Sequence, residues 1–168
     1  MAELDAAVRD LVSLVASDPS RWTRGRPGRW TAGEHTAHLL IALTATADAF
    51  ERSLQRALDG SLPPVPRRGP VQWLWVTYLV KRGTMPRGVR TPPRFEPGAG
   101  PDRAQTLERL GREVERHRAL GARLTPAQRD LLWVRNPFLP RWHYRLPEMV
   151  RVHTVHVRHH LKLMAEIG

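Results

Sequence analysis

The residues best suited to chemistry in this chain are its histidines. Met149, His153, His156, His160, Leu163 and Ile167 step by four, three, four, three and four residues, so a helix lays them along one stripe. Three imidazoles therefore stand where core leucines ordinarily pack, and each buried imidazole needs a partner for both ring nitrogens. His156 and His160, one turn apart, have Cβ atoms about 5–6 Å from each other on such a helix, close enough to share one ion. A second group, His35 and His38, lies far upstream. His38 shares a narrow face with Glu34, Ile41, Ala42 and Ala45 that lets another helix approach, whereas His35 points about 60° away, behind the site or toward solvent. Three histidines, His38, His156 and His160, leave an ion with open positions, the pattern of a catalytic rather than a structural centre. His153, His35 and Glu34 are the candidates for additional or supporting roles, Glu34 also fitting a plain helix cap.

These side chains need helices to present them, and the sequence supplies the signals. Leu4, Val8, Leu11, Val12 and Val15 mark one face of a first helix over about residues 2–16, closed by Asp18-Pro19. Thr31-Ala-Gly-Glu34 fits a capping box and opens a long second helix that runs to about Asp59. Residues 60–100 hold eight prolines around one apolar island, Val71–Val80, expected to be a short helix because no partner strand is evident. Asp102 caps a third long helix ending near Leu120-Gly121, a short turn follows over 126–132, and Pro147 suits the first turn of a final helix reaching about Ile167. The sum is all-α: four main helices with short extra ones in the connections, an antiparallel bundle in one domain over residues 1–168.

Composition narrows the function classes. The absence of cysteine removes disulfides, thiolate-ligated zinc, iron–sulfur clusters and thiol nucleophiles together. No apolar run approaches the roughly 20 residues of a membrane span. The first residues carry acids where a secretory signal carries a basic segment, so the cytoplasm is the expected compartment. The net charge of +11 comes from 25 arginines and two lysines against 16 acids. Such a charge suits a nucleic-acid partner, but the arginines are spread along the chain instead of forming a stripe, and nucleic acid is not favoured. Any polyanion contact should start in the connection, where Arg67, Arg68, Lys81, Arg82, Arg87, Arg90 and Arg94 against Glu96 give +6. Of the tryptophans, Trp30 is expected to staple the second helix to the core, Trp73 and Trp75 to pack the island, and Trp142 to line a pocket or a dimer face.

The segment Arg29-Trp-Thr-Ala-Gly-Glu-His-Thr-Ala-His38-Leu39, with its tryptophan before a helix that carries His-Leu, and the segment His156-Val-Arg-His-His160-Leu together resemble the DinB-like (YfiT-like) family across most of the chain. That resemblance implies an up-down-down-up four-helix bundle, a homodimer, and a divalent transition metal, zinc or nickel, on His38, His156 and His160. It also implies a metal-dependent enzyme acting on a small-molecule substrate: a transferase that moves a low-molecular-weight thiol such as bacillithiol or mycothiol onto small electrophiles. Arg151 and Arg158 flank the ligand positions in the sequence, fitting equally a group that binds the thiol's carboxylates and an exposed helix face. A metal-dependent hydrolase is the alternative enzyme, distinguished by activity without added thiol. A non-catalytic metal-binding or nucleic-acid-associated helical protein is the alternative of another class, distinguished by salt-sensitive, sequence-independent DNA affinity.

Overall fold

The computed structural model describes residues 1–86, 88 and 90–167; Arg87, one of the charges counted in the connection, lies outside them. The amphipathic opening segment forms α1 (Ala2–Ser17), burying Leu4, Ala7, Val8, Leu11 and Val15. Asp18 ends it, and the Asp18 carboxylate accepts the Ser20 N–H to start a 3₁₀ turn over Pro19–Trp22. The Thr31 hydroxyl accepts the Glu34 N–H at 3.1 Å while the Glu34 carboxylate accepts the Thr31 N–H at 2.7 Å. This reciprocal cap opens α2 (Ala32–Leu58) and is worth about 1 kcal/mol. Just inside the cap, a Cβ on Gly33 would stand 2.8 Å from the Trp22 ring, so only glycine lets α2 begin against that indole.

The apolar island is helical as expected, forming α3 (Pro70–Arg82), with proline in its first turn and Gly83 in the left-handed region at its end. After a 3₁₀ turn at Pro93–Phe95, the Asp102 carboxylate accepts the Gln105 N–H and begins α4 (Arg103–Ala122). Gly121 does not stop that helix; α4 ends one residue later on Arg123 in right-handed geometry. A short α5 (Pro126–Leu131) leads to α6 (Leu146–Ala165), which carries the histidine stripe.

Between α5 and α6 the structure departs from an all-helical reading. Trp133–Arg135 (β1) and His143–Arg145 (β2) form an antiparallel pair in which Val134 faces Tyr144. The link is folded by Asn136, whose side-chain oxygen accepts the N–H groups of Phe138 and Leu139 at 2.8 and 3.1 Å. Arg68 clamps Glu148 at the start of α6, and the Glu148 carboxylate also accepts the Arg145 N–H.

The chain is thus mostly helical, with six helices and this one small sheet among the described residues. One apolar cluster joins α1, the first half of α2, α4 and the end of α6. A second joins the last half of α2, α3, the hairpin and the start of α6. Helices α2 and α6 belong to both clusters and hold the histidines between them. No helix is long and apolar enough to cross a membrane among the described residues.

Candidate metal centre

Helix α2 delivers His38 from its second turn, and α6 delivers His156 and His160 from successive turns of its inner stripe. Their Nε2 atoms converge: His38 lies 3.2 Å and His160 3.0 Å from His156. The three ligand nitrogens all lie within 4.8 Å of one another, the one such group among the described residues. An ion held at about 2.0–2.1 Å by imidazoles sets the nitrogens about 2.9–3.4 Å apart for angles from square to tetrahedral, so both short separations fit.

An outer contact fixes which nitrogen of His38 faces inward. His38 Nδ1 stands 2.8 Å from the Phe95 carbonyl oxygen. A carbonyl only accepts, so Nδ1 carries the hydrogen and Nε2 keeps its lone pair. His160 Nδ1 lies 2.8 Å from His35 Nδ1, which holds that ring in place from behind. The Trp30 indole stacks on His160 with centroids 6.3 Å apart and tilts over His38 at 5.1 Å. His38 and His160 are buried and His156 half-buried.

Burial also sets protonation. Desolvation, reinforced by neighbouring imidazoles, holds His156 and His160 well below the ordinary histidine range. Desolvation lowers His38 too, opposed by the Phe95 carbonyl, and pushes His35 down to about 4. Neutral imidazoles at neutral pH are the form a metal requires.

The remaining candidates take other places. His153 turns away to bond Thr46, its Nε2 3.0 Å from the hydroxyl oxygen, with the His117 ring 6.1 Å off. Three residues before the stripe reaches the centre, α6 packs between Thr46 of α2 and His117 of α4, so His153 is a buried polar residue bonded there. His35 takes the first of its two expected places, buried behind His160, and Glu34 is engaged as the cap of α2. Arg151 pairs with Glu3 across the α1–α6 seam and Arg158 is exposed on the far face, so neither flanks the ligands. Trp73 projects into solvent on the outer face of α3. Trp75 meets Trp142 edge-on at 6.3 Å. Trp30, expected to be a staple, is half-buried against three imidazoles.

The imidazoles open on a cavity of about 910 Å³. Leu79, Met149 and Val152 give it apolar walls, while the exposed Arg26, Arg29, Arg90 and Arg135 stand at its mouth. Sequence reasoning missed Arg26, Arg135 and the Phe95 carbonyl, and it met Arg90 only as part of the basic connection and Arg29 only as the start of a motif, without assigning either to this cavity. The arginines come from three separated segments with no shared motif, and a backbone oxygen has no side-chain signature at all.

No curated protein and no solved structure matches the chain. The model of the family described as "Protein of unknown function (DUF1569)" matches residues 1–167. A histidine-lined helical chain matched from its first residue to its penultimate one belongs to that DUF1569 family.

Proposed function

We propose that this chain is a metal-dependent enzyme in which His38, His156 and His160 hold a divalent transition metal, zinc or nickel, and that it transfers a low-molecular-weight thiol to a small electrophile. The observation that carries the reading is the convergence of three imidazole nitrogens on the wall of a large cavity. A bound ion would lower the pKa of a coordinated thiol so that it stays a thiolate at neutral pH. The protein's own groups do the rest. His35 and the Phe95 carbonyl hold the ligand rings in register, and the arginines at the mouth offer charge to the carboxylates of a thiol such as bacillithiol or mycothiol. The apolar walls receive the electrophile and keep water from competing.

The DinB-like kinship and the up-down-down-up bundle of α1, α2, α4 and α6 are part of the same proposal, supported by the packing of α1 on α6 and of α2 on both α4 and α6. So is a homodimer, supported by the apolar side chains of Val71, Trp73 and Leu74 left exposed on α3.

The test is metal content in untagged protein beside the His156→Ala, His160→Ala double variant, followed by bimane-electrophile turnover with and without added thiol. About one ion per chain, lost in the variant, with turnover only when thiol is present, is the expected result. Turnover without thiol points to a hydrolase instead. No metal in either sample after zinc or nickel is added back sinks both enzymes.

A further inference from the structure

Beside the hairpin, the cavity wall carries a polar pair that the three-histidine centre does not use. Tyr144 and Asn136 both line the cavity, and the Asn136 amide donates to the Tyr144 hydroxyl oxygen at 2.9 Å. The direction of that bond is fixed. Asn136 spends its own oxygen on the N–H groups of Phe138 and Leu139, so its nitrogen must face the tyrosine. The Tyr144 oxygen therefore accepts, and its O–H is left to donate elsewhere. Tyr144 is only 7% exposed, and its hydroxyl hydrogen finds no acceptor among the described residues. A buried donor without an acceptor is costly, and the space in front of it is where an acceptor belongs.

We infer that Tyr144 is a binding residue that donates a hydrogen bond to a neutral acceptor oxygen, a carbonyl of a ketone, ester or amide, on a small ligand with an apolar body lying in this cavity. Val134, Leu79, Met149 and Val152 make the surrounding wall apolar. An anion there would lack a cation, because the arginines of the cavity stand exposed at its mouth. Burial pushes the Tyr144 phenol up to about 12, so it remains a donor throughout the physiological range. Along α6, Met149 and His156 are seven residues apart, about 10 Å of helix. Both residues line the cavity, which therefore accommodates an elongated molecule about the length of a phenylalkyl ketone. The acceptor subsite stands without any metal; only the statement that its occupant is the electrophilic substrate rests on the proposed thiol transfer.

The experiment is a titration of metal-free, chelator-treated protein with benzylacetone and with its isosteric alkene, in which a methylene replaces the carbonyl oxygen. Tryptophan fluorescence reads binding, because Trp30 and Trp75 line the cavity. Tyr144→Phe is expected to weaken benzylacetone about fivefold to tenfold and to leave the alkene within about twofold. Asn136→Asp is the second variant: its carboxylate still accepts the two backbone N–H groups but draws the tyrosine hydrogen onto itself, so benzylacetone should weaken similarly with the ring intact. Circular dichroism confirms that each variant is folded. Equal effects on ketone and alkene, no effect on either, or a wild type that binds neither would overturn the inference. Metal content, measured separately, reports on the three-histidine reading alone.

Discussion

His38 on α2 and Phe95 in the proline-rich connection, 57 residues apart, meet through a 2.8 Å hydrogen bond from an imidazole nitrogen to a backbone carbonyl. The connection thereby does more than join α2 to α4: it selects which nitrogen of His38 faces His156 and His160. Phe95 is kept in place by its own burial and by the Phe138 ring, whose centroid is 4.0 Å away.

Phe95→Leu, which loosens that ring pair and with it the carbonyl, is expected to weaken zinc about tenfold. Competition with a chromophoric chelator measures this. Unchanged affinity would mean that the carbonyl does not set the ligand.

The two supporting histidines should behave differently. His35→Phe removes the partner of His160 Nδ1 and is expected to cost about tenfold in zinc affinity, whereas His153→Leu, which disturbs only Thr46 and the His117 side, should leave affinity within about twofold. Equal losses in the two variants would erase the distinction between them.

Acid should destabilise the metal-free protein through its buried imidazoles. Burial, helped by His117, pushes His153 down to about 3, below its ordinary value of 6.5. Between pH 6.5 and 3 the unfolded chain binds a proton that the folded chain refuses, so stability falls as pH drops through that window. Each such histidine contributes a slope of up to about 1.4 kcal/mol per pH unit. Urea melts from pH 7 to pH 4 should show a shallower slope for His153→Leu than for wild type. Identical slopes would mean that His153 titrates normally in the fold.

Trp73 and Leu74, 58% and 64% exposed, are offered as the dimer face. Wild-type protein should sediment as a dimer and Leu74→Arg as a monomer with unchanged helix content. A monomeric wild type removes the dimer from the proposal.

The helices were legible because their ends carry chemistry. Thr31 with Glu34, Asp102, and Pro147 each announce a helix start through groups that satisfy or tolerate free N–H donors, and the structure begins helices within a residue or two of them. The spacing of His156 and His160 was equally readable, since one helical turn brings them together by itself. Bringing His38 to them required tertiary packing, for which the small-residue face of α2 was the available hint. The hairpin escaped notice because strands of three residues are too short to show an alternation. His153 shares both the stripe and the cavity of His156 but not its partners. Periodicity reports a face of a helix, and along that face the partner changes from the Thr46 hydroxyl to the His38 and His160 imidazoles within one turn.

Pro92 caps and Pro93 opens the turn that presents the Phe95 carbonyl, and six more prolines are spread over residues 60–100. Each proline narrows what the unfolded chain can explore, by about 0.4–1 kcal/mol where its geometry suits the native one. A connection of this length built from glycine and serine would surrender far more freedom on becoming fixed. The carbonyl is consequently already waiting for His38 before any ion arrives, so that capture of the metal has little backbone left to order and proceeds into a preorganised seat.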